Sequence, residues 1–207
     1  MRRLPYDRVK RALDVVAAGS ALVALSPVFA GVGVAVAVNL GRPVLFRQRR
    51  PGRDGEIFEL TKFRSMRNPD PARGLLTDAE RLTPFGQALR ATSLDELPSL
   101  WNVVKGDMSI VGPRPLLVSY LDRYTPEQAR RHEVRPGITG LAQARGRNAL
   151  SWEARFRLDV EYVEQRSFSL DARILLETVL GVLRREGVSA EGHVTMPEFL
   201  GRSGGAA

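Results

Sequence analysis

The apolar residues of this chain are gathered most densely near its start. From Val15 to Leu40, 26 residues carry only Ser20, Ser26 and Asn39 as polar side chains. One straight helix of that length would reach roughly 39 Å, enough to cross a bilayer. The run is broken at Ser26-Pro27. Pro27 has no N–H for the carbonyl of Val23 and its ring crowds that carbonyl, so a kink is predicted at Ser26. Each half then measures about 20 Å, too short to span alone. A secretory signal fits poorly, because its apolar region should cover roughly 7–15 residues and end at a small-residue cleavage site rather than an Arg cluster.

Beyond residue 42 the pattern predicts a compact, helix-rich α+β unit with a short hairpin. Val44-Leu45-Phe46 and Ile57-Phe58-Glu59-Leu60 flank a turn rich in Arg, Gly and Pro. Residues 68–80 read as a surface loop. Thr83-Pro84 and Thr125-Pro126 each offer an N-cap followed by proline at the first helical position. Ser151 should cap a helix to about Glu164, and another should run from Leu170 to Arg185, with Leu170, Ile174, Val179, Val182 and Leu183 as a core-facing stripe. The expected organisation is a membrane segment with its basic flank over residues 1–41, a compact domain over 42–200 and a disordered tail over 201–207.

Charge sharpens the reading of the apolar run. The net charge is +8, and all of the excess lies in two segments. Residues 1–14 hold five basic and two acidic side chains, residues 42–67 eight basic and three acidic, and residues 68–207 are balanced. Basic residues favour the cytoplasmic side of a membrane, and here both flanks of the run are basic. The consistent geometry is a helix that enters the membrane, turns at Ser26-Pro27 and leaves on the same face. A kinked spanning helix is the alternative, since prolines are tolerated in such helices. The neutral balance after residue 67 argues against a nucleic-acid-binding protein, whose basic surface should be broad. A length of 207 residues suits one domain with an appendage. The absence of cysteine, with only His132 and His193, excludes disulfides, thiolate chemistry and a histidine-rich metal cage.

Chemistry must then come from carboxylates, hydroxyls, Lys and Arg. Thr92-Ser93-Leu94-Asp95-Glu96-Leu97-Pro98 precedes an apolar helix, which should start near enough for Pro98 to lie in its first turn. Asp95 or Glu96 would then sit at a helix N-terminus, ionised by free amides that also suit a phosphate. Ordinary capping by Ser93 or Asp95 is the alternative. Pro113 and Pro115 hold Arg114 in a rigid segment suited to a bidentate oxyanion contact. The glycine-punctuated loop Arg135-Pro136-Gly137-Ile138-Thr139-Gly140, followed by Arg145-Gly146-Arg147-Asn148, would let backbone amides and Arg approach an anion. A non-catalytic scaffold gripping anionic lipid through its basic flanks would leave the acid pair and Arg114 without a task.

Several of these motifs occur together and in order. Lys10-Arg11-Ala12-Leu13-Asp14, Ser26-Pro27, Gln48-Arg49-Arg50-Pro51-Gly52, Lys62-Phe63-Arg64-Ser65-Met66, Ser93 to Pro98, Asn102 to Ser109, Val111 to Pro115, Arg135 to Gly140, Gly146-Arg147-Asn148 and Gly192-His193-Val194-Thr195 cover nearly the whole chain. In this set the chain resembles the small monotopic phosphoglycosyl transferases of the bacterial sugar transferase family. The resemblance implies a reentrant N-terminal helix, a catalytic domain lying on the cytoplasmic face of the bacterial inner membrane, and Mg2+. It implies transfer of a phosphosugar from a UDP-sugar to a polyprenyl phosphate with release of UMP, as the first step of glycoconjugate assembly. By the same resemblance Asp95 is the covalent nucleophile and a metal ligand, with Glu96 as its supporting acid. Lys62, Arg90, Arg114 and Arg147 match basic family positions and are implied in diphosphate and nucleotide contacts. Asp159 matches a family acid that is also readable as structural. The Ala144-Arg145 pair departs from relatives and bears on which sugar binds.

Overall fold

The computed structural model describes residues 5–146, 150–183 and 198–201. The helices are α1 (Pro5–Ala24), α2 (Ser26–Leu40), α3 (Asp78–Arg81), α4 (Pro84–Ala91), α5 (Ser99–Lys105), α6 (Pro126–Ala129), α7 (Leu141–Arg145), α8 (Trp152–Gln165) and α9 (Phe168–Leu183). Antiparallel strands β1 (Leu45–Pro51) and β2 (Ile57–Phe63) form the expected hairpin. A second, two-stranded parallel sheet pairs β3 (Ser109–Val111) with β4 (Gly137–Thr139). The result is the helix-rich α+β architecture anticipated above.

The apolar run bends where Pro27 requires it. α1 and α2 meet at 64°, with Leu25 as the break residue. Among the described residues no single helix is long and apolar enough to cross a membrane, whereas the bent pair meets that requirement together. The first turns of α1 are not a loose basic flank, however. Arg11 donates to the carbonyls of Val103 and Val104 at the end of α5, the latter at 2.9 Å. Lys10 pairs with Asp171 of α9 at 2.8 Å, and the buried Asp14 accepts from Ser109 Oγ at 2.7 Å and from the N–H of Ile110 at 3.2 Å. Tyr6 and Tyr162 also donate to Asp171, at 2.7 and 2.9 Å. Two of the basic residues counted as membrane flank are therefore pins inside the protein. Ala18 of α1 packs with Leu60, Val103 and Met108 in the core. Farther out, Val16, Val23, Val34 and Val38 remain exposed.

At the far end of α2, Arg64 donates to the carbonyls of Leu40, Gly41 and Arg42 and to Asn68 Oδ1. This supplies partners for carbonyls that a helix end leaves open. Thr83, Thr125 and Ser151 cap α4, α6 and α8 as predicted. The 68–80 segment is largely exposed, but it contains a turn at Pro71–Arg73 and a capping box at Thr77 that starts α3. The expected stripe on α9 needs correction. Ile174 is buried, but Val179 is 55% exposed. The residue one turn beyond Ile174 is Thr178, whose hydroxyl meets that of Thr139 at 2.7 Å, so the inward face is completed by a polar side chain. Arg147, Gly192 to Thr195, Arg184-Arg185 and residues 202–207 of the expected tail lie outside the described residues.

Asp159 is the acid of a buried ion pair. It is 1% exposed and receives two hydrogen bonds from Arg131, at 3.0 and 2.8 Å, while Arg131 also donates to the carbonyl of Arg114 at 2.6 Å. Removing one member of a buried pair strands the other charge. Arg131→Met should cost about 3–5 kcal/mol in denaturant unfolding, and Arg131→Met combined with Asp159→Leu should recover most of that loss.

Candidate active site

Three chain segments distant in sequence deliver the charged groups to one place. β2 presents Lys62, a 3-10 turn at Leu94–Glu96 presents Asp95 and Glu96, and the segment after β3 presents Arg114. Glu96 Oε1 accepts from Lys62 Nζ at 2.5 Å and from Arg114 at 2.8 Å. Arg90, from α4, donates to Ser65 Oγ at 2.9 Å and faces Asp95 electrostatically. Lys62, Arg90, Asp95, Glu96 and Arg114 all line one cavity of about 1620 Å³. Arg147 lies outside the described residues.

The acid pair does not sit in the first turn of α5 as expected. Pro98 is the residue that precedes the helix, and Ser93, in the left-handed region at φ 57°, makes no side-chain capping bond. The tight turn aims both carboxylates at the cavity. Its position is set by α5, which is stitched to β2. Asn102, buried, donates to the carbonyl of Glu59 at 2.7 Å and accepts from the N–H of Thr61 at 3.1 Å, and Ser99 donates to the Thr61 carbonyl at 3.0 Å. These bonds fix the turn against the strand that carries Lys62. In the sequence Asn102 opens one of the ordered motifs, but nothing near it announces its bonds to β2.

The Arg114 segment is held by the second sheet. Ser109 pairs with Gly137 and Val111 with Thr139. The N–H of Gly112 donates to Thr139 at 2.9 Å and that of Gly137 to Pro113 at 3.0 Å. A Cβ on Gly137 would lie 2.1 Å from the Gly112 nitrogen, so glycine is required by this backbone approach. The amide of Gly137 is consumed in the sheet and is not offered to an anion, and Arg135 Nε donates to the Gly106 carbonyl at 2.8 Å. The loop's expected anion cradle is, at these two positions, a structural brace.

The two carboxylates are electrostatically unlike. Burial alone would raise Glu96, but Arg114 and Lys62 outweigh it and hold the group down at about 2. Asp95 is pushed up to about 6, first by burial and then by the neighbouring charge of Glu96, against the pull of Lys62, Arg114 and Arg90. Its carboxylate accepts no hydrogen bond among the described residues. Burial lowers Lys62, while its two acid neighbours favour its charge. The arrangement is thus one locked, ionised acid and one buried, unclaimed carboxylate surrounded by cations.

Residues 5–185 match the family described as Bacterial sugar transferase. The chain belongs to that family. It is 51% identical over 194 residues to the uncharacterized sugar transferase EpsL of Bacillus subtilis strain 168, a match covering 93% of this chain and 96% of the relative. It is 40% identical over 193 residues to the UDP-glucose:undecaprenyl-phosphate glucose-1-phosphate transferase of Caulobacter vibrioides, covering 87% and 72% of the two chains. It is 37% identical over 196 residues to the exopolysaccharide production protein ExoY of Rhizobium meliloti, covering 86% and 87%. The part of this bacterial sugar transferase that matches the family contains all of the cavity's charged residues described above.

A stability consequence follows from the raised Asp95. Because the folded state binds this proton more tightly than the unfolded chain, stability declines as pH rises from about 4 to about 6 and stays reduced above that. Asn cannot ionise and has nearly the same shape. In metal-free buffer Asp95→Asn should therefore be more stable than wild type at pH 7.5, by on the order of 1 kcal/mol, with the difference vanishing near pH 4. Thermal unfolding at the two pH values measures it.

Proposed function

We propose that this protein transfers a sugar phosphate from a UDP-sugar to a membrane polyprenyl phosphate, releasing UMP, through a covalent intermediate on Asp95. The observation that carries the reading is the buried carboxylate of Asp95, which accepts no hydrogen bond among the described residues and lines a large cavity beside an acid already neutralised by Lys62 and Arg114. The names of the relatives from Caulobacter vibrioides, Escherichia coli and Salmonella typhimurium support the substrate classes, since each is a sugar-phosphate transferase or phosphotransferase acting with undecaprenyl phosphate.

In the first step an Asp95 oxygen attacks the phosphorus that bears the sugar, and the bond from that phosphorus to the bridging oxygen breaks. UMP departs with the bridging oxygen and its electron pair. In the second step an oxygen of the lipid phosphate attacks the same phosphorus and the Asp95 oxygen–phosphorus bond breaks, restoring the carboxylate. Splitting the transfer lets a soluble and a lipid substrate use one site in turn. Lys62 and Arg114, fixed by Glu96, and Arg90, fixed by Ser65, place positive charge where the diphosphate must lie.

Magnesium suits this donor set. Among the described residues no three His, Cys, Asp or Glu side chains cluster as a metal cage, but Mg2+ commonly uses one or two carboxylates together with substrate phosphates and waters. Asp95 would hold it, and the bound ion would offset repulsion between the carboxylate and the diphosphate.

The bent apolar pair α1–α2 supports a membrane location for this chemistry. The proposed topology is monotopic: α1 and α2 form a reentrant pair with both ends on the cytoplasmic face of the bacterial inner membrane. Single cysteines at Arg3 and Arg47 in this cysteine-free chain should both resist an impermeant thiol reagent applied to intact cells. Labelling of one end alone would mean that the pair spans.

Asp95→Asn should lose turnover by at least 10³-fold while remaining folded. Wild type given UDP-sugar and Mg2+ without lipid should release UMP stoichiometrically and gain one phosphosugar mass on Asp95. Retained turnover in Asp95→Asn, or efficient transfer with no adduct under rapid quench, would establish direct attack by the lipid phosphate instead.

A further inference from the structure

One wall of the cavity differs in character from the wall that holds Lys62, Arg90 and Arg114. Among the described residues, β4, α7 and α9 contribute Thr139, Gln143, Glu177 and Thr178 as its polar side chains, and no cation. Gln143 stands out in this group. Both ends of its carboxamide, Oε1 and Nε2, are buried, and neither finds a hydrogen-bond partner among the described residues. Turning the amide over changes nothing, because both atoms are open. Buried polar groups are nearly always paired, so two open ends on one cavity-lining side chain call for a ligand. A glutamine three residues into a helix ordinarily folds back onto the N-cap amide. Gln143 occupies that position in α7, behind the N-cap Gly140, and does not close the bond.

Backbone contacts tie this carboxamide to the acid pair. A Cβ on Gly140 would stand 2.9 Å from Gln143 Oε1 and 2.2 Å from the carbonyl oxygen of Gly112. Gly112 lies two residues before Arg114, which donates to Glu96, the neighbour of Asp95. On its other side Gly140 follows Thr139, whose hydroxyl meets that of Thr178 at 2.7 Å. Thr178 gives its own hydrogen to the Ile174 carbonyl at 2.7 Å, so Thr139 is the donor between the two hydroxyls. Each is left with lone pairs only. Glu177, next to Thr178 and half-buried, makes no ion pair or hydrogen bond among the described residues.

A wall of acceptors that includes a carboxylate disfavours phosphate and suits a neutral ligand rich in O–H donors. Uracil presents a single N–H between two carbonyls, whereas every hydroxyl of a sugar ring can donate. In the reaction proposed above the sugar is bonded directly to the phosphorus that meets Asp95, while the base lies a second phosphate and a ribose farther away. We propose that Gln143 is a sugar-binding residue, whose carboxamide holds a ring hydroxyl of the UDP-sugar against the wall formed by Thr139, Thr178 and Glu177. The inference rests on the function proposed above and deepens it by naming the side chain that meets the sugar.

Titration calorimetry of full-length Asp95→Asn in detergent with Mg2+ reads binding without turnover. It ranks UDP-glucose, UDP-galactose and UDP-N-acetylglucosamine, and the tightest of the three is carried forward. Adding Gln143→Met, which keeps the length but removes both polar ends, should raise the Kd of that UDP-sugar at least tenfold and leave that of UMP within twofold. In Gln143→Met with Asp95 intact, the KM for the UDP-sugar should rise by a similar factor and the KM for polyprenyl phosphate should not change. One single-deoxy analogue of the sugar should bind Asp95→Asn at least tenfold more weakly than its parent, yet bind the double variant as well as its parent does. A merely structural role for Gln143 would not produce that coupling.

Equal rises in Kd for UDP-sugar and UMP would assign Gln143 to the nucleotide and overturn the inference. Changes below twofold for both would also overturn it and leave Gln143 as packing for α7, and so would failure of all three UDP-sugars to bind. If wild type transfers no sugar phosphate while the selective loss of UDP-sugar binding in Gln143→Met is present, the inference stands and the proposed function falls. Should Gln143→Met fail to fold, Gln143→Asn, which withdraws the carboxamide by one methylene, takes its place under the same criteria.

Discussion

Glu96 is the carboxylate around which the site is organised. It takes hydrogen bonds from Lys62 on β2 and from Arg114 after β3, so one partly buried anion joins segments that local sequence could not bring together. The same ion triad separates the roles of two adjacent acids. Glu96 is held ionised by its partners, and Asp95, without a donor among the described residues, bears the cost of burial beside that charge. Two adjacent acids are made unlike because one receives two donors and the other none among the described residues.

Behind that triad stand backbone constraints that tolerate little change. Asn102 and Ser99 stitch α5 to β2. Gly112 and Gly137 let β3 and β4 approach until no Cβ fits, and Arg131 holds the Arg114 carbonyl while neutralising Asp159. Each contact fixes a charged side chain by fixing the backbone that carries it, which is the preorganisation that electrostatic catalysis requires.

The N-terminal helix pair has two characters along its length. Lys10, Arg11 and Asp14 tie the start of α1 to α5, β3 and α9, and Arg64 ties the end of α2 to the start of the hairpin. Between those ties the helices present exposed valines. The bend is therefore held to the catalytic domain at both ends, so the depth of any apolar surface in a bilayer would be transmitted to the cavity rather than absorbed by a linker.

Much of this was legible in the sequence because its causes are local. Pro27 bends the apolar run through a missing N–H, Thr83, Thr125 and Ser151 cap helices with their own hydroxyls, and the alternation flanking Gly52 and Gly55 makes the hairpin. The ordered motifs also identified the family. Other features depend on partners far away in the chain. Nothing near Lys10 announces Asp171, nothing near Gly137 announces Gly112, and Arg50 differs from Arg49 only by the face of the strand on which pairing places it. Val179 was assigned to the core by apolarity, and Thr178 displaced it because a hydroxyl partner waited on Thr139. Sequence alone determined which residues could carry charge, bend a helix or cap one. Tertiary structure decided which charges are neutralised and which are left reactive, because burial and ion pairing are properties of a side chain's surroundings rather than of its identity.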